Sequence, residues 1–315
     1  MTDRRKEILT AYVFLAPNFI GFIVFTSAPV LASLYLAFTR WDLFHAPRWV
    51  GMQNFVSLLG FSPSADESTS ILGLTRVPYA PNDPFFWQYL YNTAYLMMAI
   101  PVTLFASLML AIALNQKIRG VVVYRTLFFL PSITAGVAVL ILWKWLYNTD
   151  IGLINSILTQ LGVAHPPDWL GSSTWAKPAL MLMGFVMGVG GSSMILYLAA
   201  LQGVPRELYE AAQIDGASGR QQFLTITWPL IAPTTFFLAI MSVIGGFQGG
   251  FMQAYVMTGG GPAGSTTTLE YYIYNKAFAV FNMGYASAIA WVLFVVILIV
   301  SLATWKYGGR AVQYH

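Results

Sequence analysis

The sequence predicts an all-α membrane protein with six transmembrane helices. Hydrophobic residues occupy 57% of the 315 positions and charged residues only 9%, whereas soluble domains carry about 25% charged residues. Six stretches that are free or nearly free of charge are each long enough to cross a bilayer, which takes about 20 apolar residues. A charged insert at residues 205–233 separates the fourth stretch from the fifth.

The predicted spans alternate with loops of mixed composition. The first span contains Pro17 and Pro29. It is too long to be the apolar region of a cleaved signal peptide, so we expect it to be retained. Lys144 lies near the end of the third span, where a lysine can extend its charge to the membrane interface. The six predicted spans cover about residues 8–39, 85–116, 126–147, 178–202, 234–258 and 277–305.

Arginine and lysine predict the orientation of the spans, because loops that face the cytoplasm carry an excess of both. With both termini in the cytoplasm, ten of the 16 basic residues fall inside and six outside. This orientation places the insert at 205–233 in the cytoplasm. The predicted inside residues are Arg4, Arg5, Lys6, Lys117, Arg119, Arg125, Arg206, Arg220, Lys306 and Arg310.

The insert predicts a short helix that ends at a glycine. Pro205 suits a first helical turn, where its missing N–H has no intrahelical partner anyway. Glu207 and Glu210 favour the positive end of the helix dipole, and Gly216 breaks or caps the helix. Such a helix can lie in a groove of a soluble partner, although any solvated helix also contains alanines and acidic residues. One narrow, nearly flat side is predicted to comprise Leu208, Ala211, Ala212 and Asp215.

The spacing of residues in this insert resembles the cytoplasmic loop of the integral-membrane subunits of bacterial ABC importers. The tripeptide EAA at 210–212 is followed by Gly216, by Ile226 and then by Pro229. The family usually has leucine before that proline, whereas this chain has Trp228. The motif lies in the loop where the family carries it, which makes it more specific than the bare tripeptide.

Other stretches resemble the carbohydrate-importer branch of that family, the permeases of the maltose, lactose and glycerol-3-phosphate type. They are residues 214–218 with Phe223, 124–131 at the entry to the third span, 258–262 and 282–288 near the last span, and 41–43 after the first. The resemblance covers most of the chain.

The resemblance implies a type I ABC importer permease fold with a cytoplasmic coupling helix between spans four and five. It implies a permease subunit, not an enzyme, that translocates a mono-, di- or oligosaccharide or a sugar-like solute such as a glycerol phosphate ester by alternating access. The implied partners are a second homologous permease, two ATPase subunits, an extracytoplasmic sugar-binding protein and membrane lipid. No cofactor is expected in this chain, since ATP and magnesium are bound by the ATPase.

The resemblance also implies domain bounds and a set of coupling residues. Residues 1–85 hold a cytoplasmic tail, the first transmembrane helix and an outer loop, and 86–305 form the permease domain with a coupling loop at 203–233. Residues 306–315 are a cytoplasmic tail, so both termini of this multi-pass protein of the cell membrane are cytoplasmic. The ATPase-coupling residues are Glu207, Glu210, Ala211, Ala212, Asp215 and Gly216.

Spans four and five are rich in glycine, serine and glutamine, and this pattern has two interpretations. Glycines four apart allow close helix packing in lipid, and serine can bond its own backbone. Alternatively, the spans line a polar pathway, since a neutral sugar needs amide and hydroxyl partners and aromatic faces. We expect Gln248→Ala to impair uptake. The candidate pathway residues are Phe185, Gly191, Ser192, Ser193, Ser242, Gly246, Gln248 and Gln253.

Several function classes are excluded or disfavoured. The chain has no G-x-x-x-x-G-K-[ST] phosphate loop, and its three histidines lack metal-ligand spacing. It has no cysteine, and its net charge of +4 is too scattered to suggest nucleic-acid binding. An ion-coupled secondary carrier is the alternative function, but such carriers commonly place ionisable residues inside the membrane, and no charge lies clearly at a span centre here.

Overall fold

The computed structural model describes residues 3–63, 79–116, 118–134 and 136–308. Lys117 and Arg310 of the predicted inside set, much of the first outer loop and nearly all of the predicted C-terminal tail lie outside the described residues. The chain forms two compact units. The first comprises Met1–Pro84 and Ile273–Val292, and the second comprises Phe85–Tyr272 and Leu293–His315.

The described N-terminal residues, 3–63 and 79–83, form two helices joined without a break, a third short helix and four short strands. A π-helical turn, Ile23–Ser27, joins the first two helices. The strands form two antiparallel pairs, β1 with β2 and β3 with β4. The elements are α1 Asp3–Phe22, α2 Ala28–Ala37, β1 Thr39–Arg40, β2 Arg48–Trp49, α3 Gln53–Leu59, β3 Phe61–Pro63 and β4 Tyr79–Pro81.

The strand pairs correct the all-α prediction, although each strand has only two or three residues. Strands this short leave no alternation of apolar and polar residues to detect. Tertiary contacts stabilise the first pair instead: Trp49 stacks on Phe38 with ring centroids 5.5 Å apart. Asn54 Nδ2 donates hydrogen bonds to the carbonyl oxygens of Ala37 and Thr39 at 2.8 and 2.9 Å.

The remaining described chain is helical, with π-helical turns at Phe223–Thr227, Ala254–Thr258 and Asn275–Ala279. The helices are α4 Pro84–Met97, α5 Ala99–Leu114, α6 Val121–Ile133, α7 Gly136–Leu146, α8 Leu153–Gln160, α9 Ala176–Gly188, α10 Gly191–Gln202, α11 Arg206–Ile214, α12 Gly219–Gln222, α13 Trp228–Phe247, α14 Phe251–Gln253, α15 Leu269–Tyr274 and α16 Met283–Gly308.

Within the described residues, four helical stretches are long and apolar enough to cross a bilayer, and counting each of two bent pairs as one span would give six. The bent pairs are α6 with α7, at 98°, and α9 with α10, at 42°. They correspond to the predicted third and fourth spans, which the sequence indicated only as continuous apolar windows. The four continuous stretches are Thr10–Ala37, Pro84–Leu114, Gly219–Phe247 and Met283–Lys306.

The predicted fifth span, 234–258, has the wrong bounds. The observed helix already begins at Gly219 and ends at Phe247. It continues through Pro229 because the preceding π-helical turn adjusts the backbone bonding around the missing N–H. It ends before Gly250, which has a left-handed φ of 98°. The window 277–305, predicted to contain the sixth span, contains nearly all of the observed stretch Met283–Lys306.

The first unit is held together by close backbone approach and buried polar contacts. A Cβ on Gly284 would lie 1.9 Å from the carbonyl oxygen of Thr39, so glycine lets α16 approach β1. Trp291 Nε1 donates to Ser33 Oγ at 3.2 Å, and Met283 N donates to the carbonyl oxygen of Trp41 at 2.9 Å. The 28-residue helical stretch from α1 to α2 has no buried residue in its most apolar window, as suits contact with lipid.

The second unit has its core where α5, α10 and α13 meet. This core cluster is almost entirely aliphatic, and it extends from the middle of these helices to the chain just before α11. The core therefore connects the loop that carries α11 with the C-terminal half of α13. That half of α13 lines the cavity described in the next section. Its buried members are Leu104, Leu108, Ala111, Leu114, Met194, Tyr197, Leu198, Leu201, Val204, Ile231 and Leu238.

Candidate functional sites

A cavity of about 310 Å³ lies among the helices of the second unit, at the lower end of the roughly 300–1,000 Å³ of ligand pockets. Among the described residues that line it, none has a charged or aromatic side chain, and the polar side chains are hydroxyls and one amide. Such groups suit a neutral, hydroxyl-bearing ligand. The polar lining residues are Thr93, Thr103, Ser193, Ser242, Gln253 and Thr268.

The glycines around this cavity divide into two kinds. A Cβ on Gly184 or Gly245 would meet no atom within 4 Å, so at these positions glycine keeps space open. A Cβ on Gly188 would lie 2.8 Å from Thr103 Cγ2, and one on Gly246 would lie 2.8 Å from Met97 Cγ. The packing and pathway interpretations of the glycine pattern therefore apply to different residues of the same helices.

The bend between α9 and α10 depends on two further glycines. Gly191 has a left-handed φ of 61°, and a Cβ on Gly190 would lie 2.1 Å from the carbonyl oxygen of Phe128. Only glycine allows both the backbone conformation and the close approach of α6. The break leaves the carbonyl of Gly188 without a helical partner, and Ser107 Oγ donates to it at 3.3 Å.

Four of the eight predicted pathway residues line the cavity, namely Ser193, Ser242, Gly246 and Gln253. The other four, Phe185, Gly191, Ser192 and Gln248, are not among its lining residues. Gln248 follows the last residue of α13 and is exposed, and Ser192 is also exposed.

Sequence reasoning missed the threonines of the lining, Thr93, Thr103 and Thr268. Thr93 and Thr103 also donate to the carbonyl oxygens of Tyr89 and Ala99, as any threonine in a helix can. The residue type therefore gave no signal for these lining positions. For Thr93 and Thr103 the spacing does give one, because Thr93, Leu96, Ile100 and Thr103 fall on one helical face; nothing in the sequence marks Thr268.

The chain after α13 is fastened beside the cavity by polar contacts. Asn92 Nδ2 donates to the carbonyl oxygens of Gly264 and Thr267 at 2.8 and 3.0 Å. Glu270 Oε2 accepts a hydrogen bond from Phe251 N at 2.8 Å. Burial raises the pKa of Glu270, and the Phe251 N–H opposes that shift. These contacts hold the turn that brings Gln253 into the cavity lining.

Helix α11 presents most of the predicted coupling residues to solvent. Glu207, Glu210, Ala211, Asp215 and Gly216 are exposed, whereas Ala212 is half-buried. Two apolar side chains accompany them on the surface: Leu208 is 43% exposed and Ile214 is 86% exposed. An exposed helix with apolar residues and flanking carboxylates is suited to lie in a groove of a partner.

The C-terminal end of α11 has well-defined capping geometry. Gly216 has a left-handed φ of 76°. Gly216 N donates to the carbonyl oxygen of Gln213, and Ala217 N donates to that of Ala212 at 2.8 Å, the pattern of a Schellman cap. Ser218 and Gln221 then form a capping box at the start of α12. The loop between the two helices is thus fixed at both ends.

The histidines show no metal-binding arrangement in the described part of the chain. His45 Nδ1 lies 2.8 Å from Asp42 Oδ2 in an exposed turn, and this hydrogen bond lowers the pKa of Asp42. His165 lies between α8 and α9, and His315 lies outside the described residues. No three His, Asp or Glu side chains among the described residues are grouped so that they could hold a metal ion.

Known proteins similar to this chain are transport subunits. Residues 82–306 match the family described as "Binding-protein-dependent transport system inner membrane component". The "Probable ABC transporter permease protein YesP" of Bacillus subtilis (strain 168) is 37% identical over 314 residues, covering 98% of this chain and 94% of that protein. The "Lactose transport system permease protein LacF" of Rhizobium radiobacter is 37% identical, covering 73% and 78% of the two chains.

One further relative and one solved structure extend the similarity over nearly the whole chain. The "sn-glycerol-3-phosphate transport system permease protein UgpA" of Agrobacterium fabrum is 30% identical and covers 96% of each chain. A chain in the crystal structure of a bacterial ABC transporter involved in the import of the acidic polysaccharide alginate has a TM-score of 0.78 at 23% identity, covering 98% of each chain. This likeness shows that the two chains share a fold.

Proposed function

Because the chain belongs to the family of binding-protein-dependent transport system inner membrane components and is a permease subunit of a carbohydrate-type ABC importer, we propose that its cavity is part of the path of a neutral sugar. Its fold is the helical type I permease fold. The family acts in transport and its permease subunits are not themselves catalytic. The ion-coupled carrier is not favoured, because the relatives are subunits of ABC importers.

The chemistry of the cavity carries this proposal. Six hydroxyl or amide side chains converge on it, and no charged side chain lines it within the part of the chain that the structure describes. A sugar hydroxyl can both donate to and accept from such groups, whereas a phosphate ester would have no cationic partner among these described lining residues. We therefore infer a mono-, di- or oligosaccharide in preference to a glycerol phosphate ester.

The membrane arrangement that we propose has six spans, with each bent pair counted as one, and both termini in the cytoplasm. Arg119, Arg125, Arg206, Arg220 and Lys306 then lie on the cytoplasmic side, as the excess of positive charge in cytoplasmic loops favours. In this orientation α11 faces the cytoplasm. The protein is a component of the inner membrane.

We further propose that α11 is the coupling helix and that its exposed face contacts an ATPase subunit. Glu207, Glu210, Ala211, Asp215 and Gly216 are exposed there, and Ala212 lies at the edge of the contact. Two ATPase subunits, which bind ATP and magnesium, a second permease and an extracytoplasmic sugar-binding protein complete the importer. Hydrolysis in the ATPases drives alternating access in the paired permeases.

Uptake by the complete importer in proteoliposomes tests the sugar path. We expect Gln253→Ala to raise the sugar concentration needed for half-maximal uptake, because the variant removes the one amide in the cavity lining. Gln248→Ala, which the sequence alone predicted to impair uptake, is the matched control, and we expect it to transport like the parent because Gln248 is not among the lining residues. Parent-like uptake kinetics in Gln253→Ala would remove Gln253 from the path. Uptake driven by an ion gradient without the ATPase would favour the carrier instead.

Site-specific crosslinking tests the docking of α11. The chain contains no cysteine, so Ala211→Cys introduces a single thiol on the exposed face of this helix. We expect it to crosslink to an ATPase subunit in the assembled importer. Ser173→Cys, an exposed position between α8 and α9, should not react with the ATPase. Crosslinking from position 173 and not from 211 would reverse the proposed orientation.

A further inference from the structure

Helix α11 is attached to the rest of the second unit through one side. Of its nine residues only Tyr209 and Ala212 are half-buried, and the others are exposed. The Tyr209 ring packs against the core cluster formed by α5, α10 and α13. Its hydroxyl lies 2.8 Å from Thr227 Oγ1. Within the described chain, this is the hydrogen bond that joins a side chain of α11 to another helical element.

Thr227 lies at the start of the helix that reaches the cavity. It is buried, it is the last residue of the π-helical turn Phe223–Thr227, and α13 begins directly after it. The helix is continuous from Gly219 to Phe247. Ser242, which lines the cavity, is therefore roughly 22 Å along the same helix at 1.5 Å per residue. One continuous helix therefore connects Thr227 with the cavity wall.

The pair adds a side-chain contact to the covalent connection that residues 215–218 make between α11 and the helix starting at Gly219. A second cavity of about 440 Å³ lies beside it, lined by Tyr209 and Thr227 together with residues of α5, α10 and α12. The space between α11 and α5 is thus incompletely filled. Packing contacts resist separation only through short-ranged, non-directional attraction, whereas the hydrogen bond adds a directional contact that fixes the distance between the two side chains. The hydroxyl pair can therefore transmit a pull as well as a push.

We infer that Tyr209 is a positioning residue whose hydrogen bond to Thr227 links movement of α11 to α13 and so to the cavity wall. This inference rests on the proposed docking of α11 to the ATPase. It adds the pair of side chains through which the docked helix acts on the sugar path.

The coupling ratio, the number of sugar molecules imported per ATP hydrolysed by the assembled importer, tests the inference. Tyr209→Phe keeps the packed ring and removes the hydroxyl, and Thr227→Val removes the other partner. We expect either variant to lower the ratio by about two- to tenfold, the factor that corresponds to one net hydrogen bond. The double variant should lower it no further, since both changes remove the same interaction.

Thr225→Val is the matched control. Its hydroxyl donates to the carbonyl oxygen of Gln221 within the same helical segment at 2.7 Å, so the coupling ratio should stay at the parent value. A Tyr209→Phe importer with the parent coupling ratio, or additive effects of the two single variants, would overturn the inference. So would loss of assembly in both single variants, which would show a purely structural role.

The crosslink from Ala211→Cys separates failure of the inference from failure of the proposed function. If Tyr209→Phe and the parent crosslink equally and transport with equal coupling, α11 still docks on the ATPase and only the link is wrong. If the parent itself gives no crosslink, the docking of α11 is wrong and the inference falls with it.

Discussion

The left-handed residue at the end of α11 allows a quantitative test of how the end of this helix is held. Gly216 has a φ of 76°, and a Cβ at this position would meet no atom within 4 Å. The change Gly216→Ala therefore introduces backbone strain without a steric clash. The left-handed conformation costs a residue with a side chain roughly 1–2 kcal/mol.

Gly219 provides a matched control three residues further on. It is the first residue of α12, a Cβ there also meets no atom within 4 Å, and its φ is not in the left-handed region. Replacing glycine by alanine restricts the unfolded chain at both positions, a gain of about 0.4–1 kcal/mol each. This gain in stability cancels when the two variants are compared. The difference in stability between them is then the left-handed strain alone, about 1–2 kcal/mol.

Hydrogen exchange measures this difference as the local opening of the helix end. A difference of about 1–2 kcal/mol corresponds to a roughly 5- to 30-fold larger opening constant in Gly216→Ala than in Gly219→Ala. The informative amide is that of Ala217, which donates to the carbonyl oxygen of Ala212 in the cap. The measurement uses the assembled importer without ATP. Equal exchange in the two variants would show that the cap does not hold the end of α11.

Three further predictions concern the cavity and its supports. Gly245→Leu should lower uptake with assembly intact, because the new side chain enters open space in the cavity lining. The control is Gly21→Leu, whose side chain enters equally open space on α1. This control variant should transport normally in the same assay. Glu270 has a raised pKa, so the folded state binds more protons than the unfolded chain, and the free energy of unfolding should fall as the pH rises above 4.5, the ordinary pKa of glutamate. Glu270→Gln should flatten this pH dependence in thermal unfolding. An unchanged slope would assign the pH dependence to another group. Asn92→Ala should lower the free energy of unfolding by about 1–3 kcal/mol, because it leaves the carbonyl groups of Gly264 and Thr267 without their donor. Asn148→Ala, the control in an exposed turn, should lower the unfolding temperature less than Asn92→Ala does.

The bounds of the predicted spans show how accurately the local sequence pattern predicts where helices begin and end. The first two spans agree with the observed helices within about two residues, because the cost of placing charge in lipid depends on composition alone. The helix that contains the start of the predicted fifth span begins at Gly219, and not at 234, because a π-helical turn accommodates Pro229. A proline in the sequence indicates a missing N–H, but the sequence does not say whether neighbouring turns adjust to it.

The local structure of α11 and the loop after it was largely predictable, and the lining of the cavity only in part. Gly216 as a cap follows from local backbone chemistry, which six neighbouring residues suffice to specify. The cavity lining depends on how the helices of the second unit are rotated about their own axes. Ser193 lines the cavity and its neighbour Ser192 is exposed, although the two are equivalent in type and lie in the same apolar window.

The sequence by itself determined that the chain lies in a membrane, where its charged insert lies between spans, and which short helix carries the EAA tripeptide. These are properties of consecutive residues, fixed by desolvation, hydrogen bonding and helix capping over distances of a few turns. Tertiary structure decided which hydroxyls converge on one cavity, which glycines keep it open, and that Tyr209 meets Thr227. Those outcomes depend on packing between helices that are far apart in the chain, where a small rotation of one helix exchanges a lining residue for an exposed one.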